Sequence, residues 1–259
     1  MFTKEIEEYE RLRDEYQQTV VSKMNTADYM EYNEILFSAH SCAIEGNSFT
    51  VDDTRILREK GLSMVPSGRS LFECVEMADH FRAFDYMIHH LGSPFDESLL
   101  KEINRLVTEH TISYKAKDAV AGEYTTEDMA AGDTVFGDHE KLVAQVPRLM
   151  ASTERAMASE QHPMVVAAKF HGYFEHLHPF RDGNGRTGRL LSNFILLKKG
   201  HPMLIIDIKD RSAFITALKM IGSEGTDEHL VHFFFKTAIE RLRSEVEQKA
   251  HNSRIMMFF

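Results

Sequence analysis

Residues 163–199, PMVVAAKFHGYFEHLHPFRDGNGRTGRLLSNFILLKK, decide how this chain folds. In the first half Val166, Phe170, Tyr173, Phe174 and Leu177 recur at three- and four-residue spacing, the apolar stripe of a helix. Pro179 disfavours helical geometry at His178, so that helix stops there. Asp182, Gly183, Asn184 and Gly185 then form a turn with two glycines. A second helix starts near Gly185, with Leu190, Leu191, Phe194, Ile195 and Leu197 as its core face.

Helical periodicity extends outward from this unit. Residues 3–22 are rich in Glu and Arg with sparse apolar positions, and read as a solvated helix. Tyr29, Tyr32, Leu36, Ala39 and Ala43 mark one apolar face between 28 and 43. Thr50 with Asp53 resembles a capping pair that opens a helix running to Gly61. Further helices are expected over 70–91, 96–110, 138–159, 210–222 and 226–250. Met203–Ile208 is apolar and β-branched but short. Residues 118–137, with three glycines and little helical period, read as a β-hairpin or ordered flap. No repeat or linker divides the chain, so one mostly helical domain is expected.

Composition narrows the function classes. With 259 residues, 43% of them hydrophobic, the chain can bury a sizeable core. A net charge of −10 argues against non-specific nucleic-acid or anionic-membrane binding, which reward clustered Lys and Arg. It leaves room for ATP at a local basic site. Cys42 and Cys74 form no C-x-x-C pair, and read as reduced, partly buried thiols. A charged N-terminus without a leader-like apolar core, and no run near the membrane-spanning length, set the expectation of a cytoplasmic protein.

The turn between the two central helices carries chemistry. Its backbone N–H groups have no intrahelical acceptor and form an anion nest that glycine lets a phosphate approach. Arg186 and Arg189 lie three apart at the start of the second helix, where a cation opposes the helix dipole by about 0.3–1 kcal/mol. Such placement makes sense if an anion binds there. Asp182 offers a hard oxygen ligand suited to Mg²⁺ shared with phosphates. His178 is suited to general-base work near neutrality. Asp-Gly and Asn-Gly alone are ordinary turn dipeptides, and a lone histidine before proline is ordinarily structural. It is the joint occurrence within 178–189 that favours a site.

HPFRDGNGRTGR resembles the signature of the Fic family, His-x-Phe-x-Asp/Glu-Gly-Asn-Gly-Arg-x-x-Arg, and every fixed position is present. The similarity runs from about residue 30 to 222. The resemblance implies an all-α, Fic-type helical bundle with a small β-hairpin flap, and transfer of AMP from ATP to a Ser, Thr or Tyr hydroxyl of a target protein. Carried over residue by residue, it makes His178 the base and Phe180 the anchor of the loop in the core. Asp182 becomes the Mg²⁺ ligand, and Gly183, Asn184 and Gly185 the phosphate cradle. Arg186 and Arg189 balance the β- and γ-phosphates.

Ser41-Cys42-Ala43-Ile44-Glu45-Gly46 resembles the family's inhibitory motif, Ser/Thr-x-x-x-Glu-Gly/Asn. Ser41 and Glu45 share a helical face, and an anion in a last turn wants a cationic partner. The resemblance supplies one: Glu45 pairs with Arg189 and obstructs the γ-phosphate. It also makes residues 1–35 a helical extension, 36–222 the Fic core with an inhibitory helix at 36–46, and 223–259 a closing helix and tail. The flap is expected to dock a target segment, and Gly122, Tyr124 and Thr125 are its candidate contacts. Thr125 departs from the arginine frequent after the aromatic, and Phe214 replaces a frequent tyrosine. The expected partners are ATP, Mg²⁺ and a hydroxyl-bearing protein, a second copy of this chain included. Nucleic acid and membrane are not expected. His171 reads as a packed histidine, and Phe233-Phe234-Phe235 as core or a subunit contact, which leaves room for a homo-oligomer. The rival readings are removal of AMP with Glu45 positioning water, transfer of another phosphate-linked group, and an inert nucleotide-binding interaction protein.

Overall fold

A computed structural model describes residues 2–131 and 134–256. The elements are α1 (Thr3–Thr19), α2 (Thr26–Ile44), α3 (Val51–Lys60), α4 (Leu71–His89), α5 (Glu97–Thr108) and α6 (Ile112–Lys115). Strands β1 (Ala130–Ala131) and β2 (Thr134–Val135) follow, then α7 (Leu142–Met157), α8 (Pro163–Leu177), α9 (Asn184–Lys198), α10 (Arg211–Glu224) and α11 (Glu228–Met256). The fold is thus mostly helical.

The α8–α9 pair forms its centre. On α8, Phe170 and Phe174 are buried; on α9, Leu190, Leu191, Phe194 and Ile195 face them. Helices α7, α10 and α11 pack on α8, while α2, α4 and α5 pack on α9. The N-terminus of α9 is therefore ringed by α2, α4 and α5. Capping fixes where these neighbours begin: the Asn25 side chain accepts from the Asp28 N–H at α2, and Asp96 accepts from Leu99 at α5. Thr50 and Asp53 close the expected capping box at α3, and Ser70 with Glu73 closes another at α4.

Two expectations are revised, for the first helix and for the 118–137 segment, and Met203–Ile208, left open by its sequence, is settled. The first helix is not merely solvated: Tyr9, Leu12 and Tyr16 are buried against α11. Their spacing is a narrow stripe that charged neighbours conceal, and tyrosine carries its own partner, the Tyr16 hydroxyl donating to Glu245 Oε2 at 3.0 Å. Met203–Ile208 forms no strand. Instead the Leu204 N–H donates to Asn193 Oδ1 at 2.7 Å, and Asn193 Nδ2 donates to the Leu204 carbonyl at 3.0 Å. In the 118–137 segment the regular pairing is brief, Ala130 opposite Val135 and Ala131 opposite Thr134. Residues 132–133 of that segment, and 257–259 of the tail, lie outside the described residues. Elsewhere Phe234 and Phe235 enter the core, and Cys42 and Cys74 are free, buried thiols. Among the described residues no helix is long and apolar enough to cross a membrane.

Docking of α1 should be measurable. Tyr16→Ala removes a fully buried ring and is expected to cost about 3–5 kcal/mol in urea unfolding. Tyr16→Phe keeps the ring and loses one hydrogen bond to a carboxylate, about 1.5–3 kcal/mol. Equal losses in the two variants would show that the ring does not anchor α1.

Candidate functional site

The motif turn is assembled by hydrogen bonds within itself. His178 caps α8 in the left-handed region (φ 47°, ψ 58°), with its N–H still donating to the Phe174 carbonyl. Pro179 blocks further helix, and Phe180 is buried. Asn184 spans the loop: Nδ2 donates to the Phe180 carbonyl at 2.7 Å and Oδ1 accepts from the Phe180 N–H at 3.0 Å. Its side chain is thereby committed to the loop, and only its backbone is left for an anion. Gly183, the N-cap of α9, has φ +78°, and a Cβ there would lie 2.6 Å from Thr108 Cγ2. From α5, Asn104 Nδ2 donates to the Asp182 carbonyl at 3.0 Å and to Thr187 Oγ1 at 3.2 Å.

Arg186 and Arg189 do not stand open at this helix end. Arg186 is 1% exposed. Its Nη2 donates to Asp182 Oδ2 at 3.0 Å, and its Nη1 lies 2.8 Å from Glu76 Oε1, in ion-pair contact but off hydrogen-bond alignment. Burial works against the charged guanidinium, yet Glu76 and Asp182 outweigh it and hold Arg186 more firmly protonated than usual. Asn47 Nδ2 donates to Glu76 Oε2 at 3.0 Å, and Lys115 Nζ lies 3.1 Å from Asp182 Oδ2 and 3.4 Å from Glu76 Oε1. Burying an unpaired charge costs several kcal/mol, so the chain supplies its own carboxylates to both arginines.

Arg189 meets α2. Its Nη2 donates to Glu45 Oε1 at 2.7 Å and to the Ser41 carbonyl at 2.8 Å, and its Nε donates to Ser41 Oγ at 3.1 Å. Glu45 is the C-cap of α2 and Gly46 follows at φ +103°, so the chain turns away immediately after the carboxylate. Glu45 also lies over the first turn of α9: a Cβ on Gly185 would sit 2.2 Å from Glu45 Oε1 and 2.9 Å from Arg189 Nη1. From the far side His80, buried and held well below the ordinary histidine range by burial and then by Arg186, hydrogen-bonds Ser38 Oγ at 2.9 Å and Ser41 Oγ at 3.2 Å.

The structure brings His178, Phe180, Asp182–Arg186 and Arg189 together, and Ser41, Glu45 and Gly46 with them. It places Gly122, Tyr124 and Thr125 outside the ladder, against α5 and the motif loop. Gly122 has φ +79° and presses on α5; the Tyr124 ring lies 5.6 Å from that of Phe180. The Thr125 N–H donates to the Pro179 carbonyl at 2.8 Å, so it is not free to pair with another chain. Glu76, Lys115, Asn104 and Glu175 were not singled out from sequence. A carboxylate on the buried face of α4 was a usable signal for Glu76; Lys115 sits in a four-residue helix too short to show a period.

A Fic/DOC family profile matches residues 94–196. "Protein adenylyltransferase Fic" of Drosophila melanogaster is 32% identical over 199 residues, 75% of this chain and 38% of that protein. The chain thus spans well under half the length of that relative. A Fic-domain signalling protein from Bacteroides thetaiotaomicron superposes with a TM-score of 0.79 at 22% identity, covering 94% of this chain and 97% of the other. Residues 134–508 of Fic-1 from C. elegans superpose with a TM-score of 0.76 at 22% identity, covering 97% of this chain and 73% of the other. The chain belongs to the Fic family.

Two outcomes are expected. Gly185→Ala has no backbone penalty, but its methyl group cannot coexist with Glu45 in place; the Arg189 Nη2–H that donates to Glu45 Oε1 should lose its protection from exchange in NMR, while the Nε–H, held by Ser41 Oγ, keeps it. Unchanged protection at Nη2 would refute the contact. The second concerns acid. Burial lowers His171 from 6.5 to about 4, so between those pH values the unfolded chain binds a proton that the folded one refuses. The stability this represents is present above pH 6.5 and is lost as pH falls toward 4, on the order of 3 kcal/mol at most. His171→Phe should flatten the acid limb of unfolding free energy against pH.

Proposed function

We propose that this chain transfers AMP from ATP to a serine, threonine or tyrosine hydroxyl of a target protein, and that Glu45 holds it inhibited. The observation that carries the reading is Glu45 Oε1, 2.7 Å from Arg189 Nη2 and against Gly185 at the start of α9. A carboxylate there occupies ground suited to a phosphate. The relative from Drosophila melanogaster, a protein adenylyltransferase by name, supports the activity.

In this reading the first-turn N–H groups of α9 and the two arginines receive the triphosphate. Asp182 fits the role of Mg²⁺ ligand: it is partly exposed, Oδ2 already draws the Lys115 ammonium as a stand-in cation, and one carboxylate with phosphate oxygens is a set Mg²⁺ accepts. Bound there, the ion would offset phosphate charge. His178 accepts the proton of the target hydroxyl as its oxygen attacks the α-phosphorus. The bond from that phosphorus to the bridging oxygen breaks, and pyrophosphate leaves with the electron pair. The remaining work is positioning and charge stabilisation. Glu45 opposes it by placing a negative charge where the γ-phosphate needs Arg189.

We also read 36–222 as the Fic core, with 1–35 and 223–259 as its helical extension and closing helix and tail. The ladder of β1 and β2 offers backbone edges to an extended target segment or to a second copy of this chain, with Gly122, Tyr124 and Thr125 between it and the motif loop as candidate contacts. A cytoplasmic location fits two reduced thiols.

Labelling separates the readings. With ATP labelled at the α-phosphate, Glu45→Gly is expected to modify protein faster than the natural chain by about 10- to 100-fold, the worth of one charge-assisted hydrogen bond. His178→Ala should abolish labelling. Label transferred from the γ-phosphate alone would mean phosphoryl transfer and defeat the proposal. Equal labelling by Glu45→Gly and the natural chain would defeat the inhibitory role.

A further inference from the structure

Buried polar atoms without partners are few in a native fold, and each asks for an explanation. Among the described residues four of nine such atoms belong to His171 and Glu175 of α8 and to His178, which caps it. Both ring nitrogens of His171, Glu175 Oε1 and His178 Nδ1 are all buried and without a hydrogen-bond partner. His171 and Glu175 stand four apart on α8, which stacks their side chains along the helix, and the left-handed cap brings His178 to the other side of Glu175. Glu175 is thus flanked by two imidazoles. Its Oε2 lies 3.7 Å from His178 Nδ1, in ion-pair range but beyond a hydrogen bond.

The surroundings leave Glu175 few other duties. Burial pushes its carboxyl up, but His178, His171 and then Arg189 outweigh that, and the net direction is down. Glu175 therefore stays an anion although it is largely shut from water. His171 is fully buried and stacks on Phe214, its ring centroid 5.5 Å away. It is also pinned by Gly188, where a Cβ would lie 2.8 Å from His171 Nδ1. On its open side the His178 ring is covered by Phe136, just after β2, with centroids 3.9 Å apart and planes 14° off parallel. The ring plane is thus fixed by Phe136, and its backbone by the left-handed cap. What remains to be fixed is which nitrogen carries the proton.

We propose that Glu175 is the positioning residue of His178, a carboxylate that holds the proton on Nδ1 and so turns the Nε2 lone pair toward the substrate hydroxyl. This deepens, and rests on, the reading of His178 as the base. When His178 Nε2 takes the hydroxyl proton, the ring becomes an imidazolium with Nδ1–H facing a carboxylate. The pair then closes from 3.7 Å to hydrogen-bond distance, and the new charge is stabilised where it forms. No proton passes to Glu175. The proton taken from the hydroxyl leaves later from Nε2, and Nδ1 keeps its own throughout.

Two readouts test this, one independent of activity. In the full chain with ¹⁵N-labelled histidine, long-range ¹H–¹⁵N spectra should show neutral His178 as the Nδ1–H tautomer. Glu175→Leu should move it to the Nε2–H form. Glu175→Gln, nearly isosteric and still an acceptor through its carbonyl oxygen, should keep the Nδ1–H form and guards against a folding artefact. In a Glu45→Gly background, Glu175→Leu should lower kcat for AMP transfer by about 100-fold or more with KM for ATP unchanged. Glu175→Gln should fall between. An unchanged tautomer in Glu175→Leu, or a loss confined to KM, overturns the proposal. Full activity of His178→Ala would sink the base assignment instead, and the tautomer shift would still be read on its own.

Discussion

A guanidinium shut away from water at the start of a helix is doubly unfavourable, desolvated and set against the helix dipole, and Arg186 is in that position. Several kcal/mol of desolvation must be met by anions in contact. Glu76 reaches it from α4 and Asp182 from the turn, while Asn47 and Lys115 hold Glu76 in turn. One buried charge therefore ties together four segments that are far apart in sequence. Arg189 repeats the logic one turn along with Ser41 and Glu45 of α2. The site is a set of charges that the fold has already neutralised with the chain's own carboxylates.

The helices were legible because their apolar positions repeat. The turn was legible because proline, two glycines and two arginines each have a narrow use. What escaped was mostly long-range. Asn104 looks like any polar residue on α5, and only the fold shows that it bridges Asp182, Thr187 and Gly122. Glu76 pairs with a residue 110 positions away, and no local pattern encodes that. The first helix was misjudged for a different reason: tyrosine is both apolar and polar, so a stripe of Tyr9, Leu12 and Tyr16 among charges reads as solvated until α11 covers it. Gly122 reads from sequence as a flap contact for a target segment, and the structure shows its close approach to α5, which a Cβ would prevent.

The strain at His178 belongs to the same design. A left-handed non-glycine residue costs of order 1–3 kcal/mol and persists only where its surroundings over-determine it. Here Pro179 forbids the helical alternative, Asn184 braces the loop from behind, and Phe136 flattens the ring from in front. The imidazole is delivered to a single orientation before any ligand arrives. On the proposed base role, that ordering precedes the reaction, which is what preorganisation means.

Helix α2 is anchored along its whole length. Arg241 of α11 donates to Asn33 Oδ1 at 2.6 Å, His80 holds Ser38 and Ser41, and Arg211 donates to the Ile44 carbonyl at 2.7 Å. At its C-terminal tip the Glu45 side chain reaches partly into solvent, 36% exposed. Dislodging the helix would break many contacts, whereas turning the Glu45 side chain about its own bonds breaks one ion-paired hydrogen bond and takes nanoseconds rather than milliseconds. An open and a closed form of this molecule would therefore share one backbone. They would differ by a few torsion angles, and an equilibrium of that kind needs no hinge, no lid and no dissociating subunit.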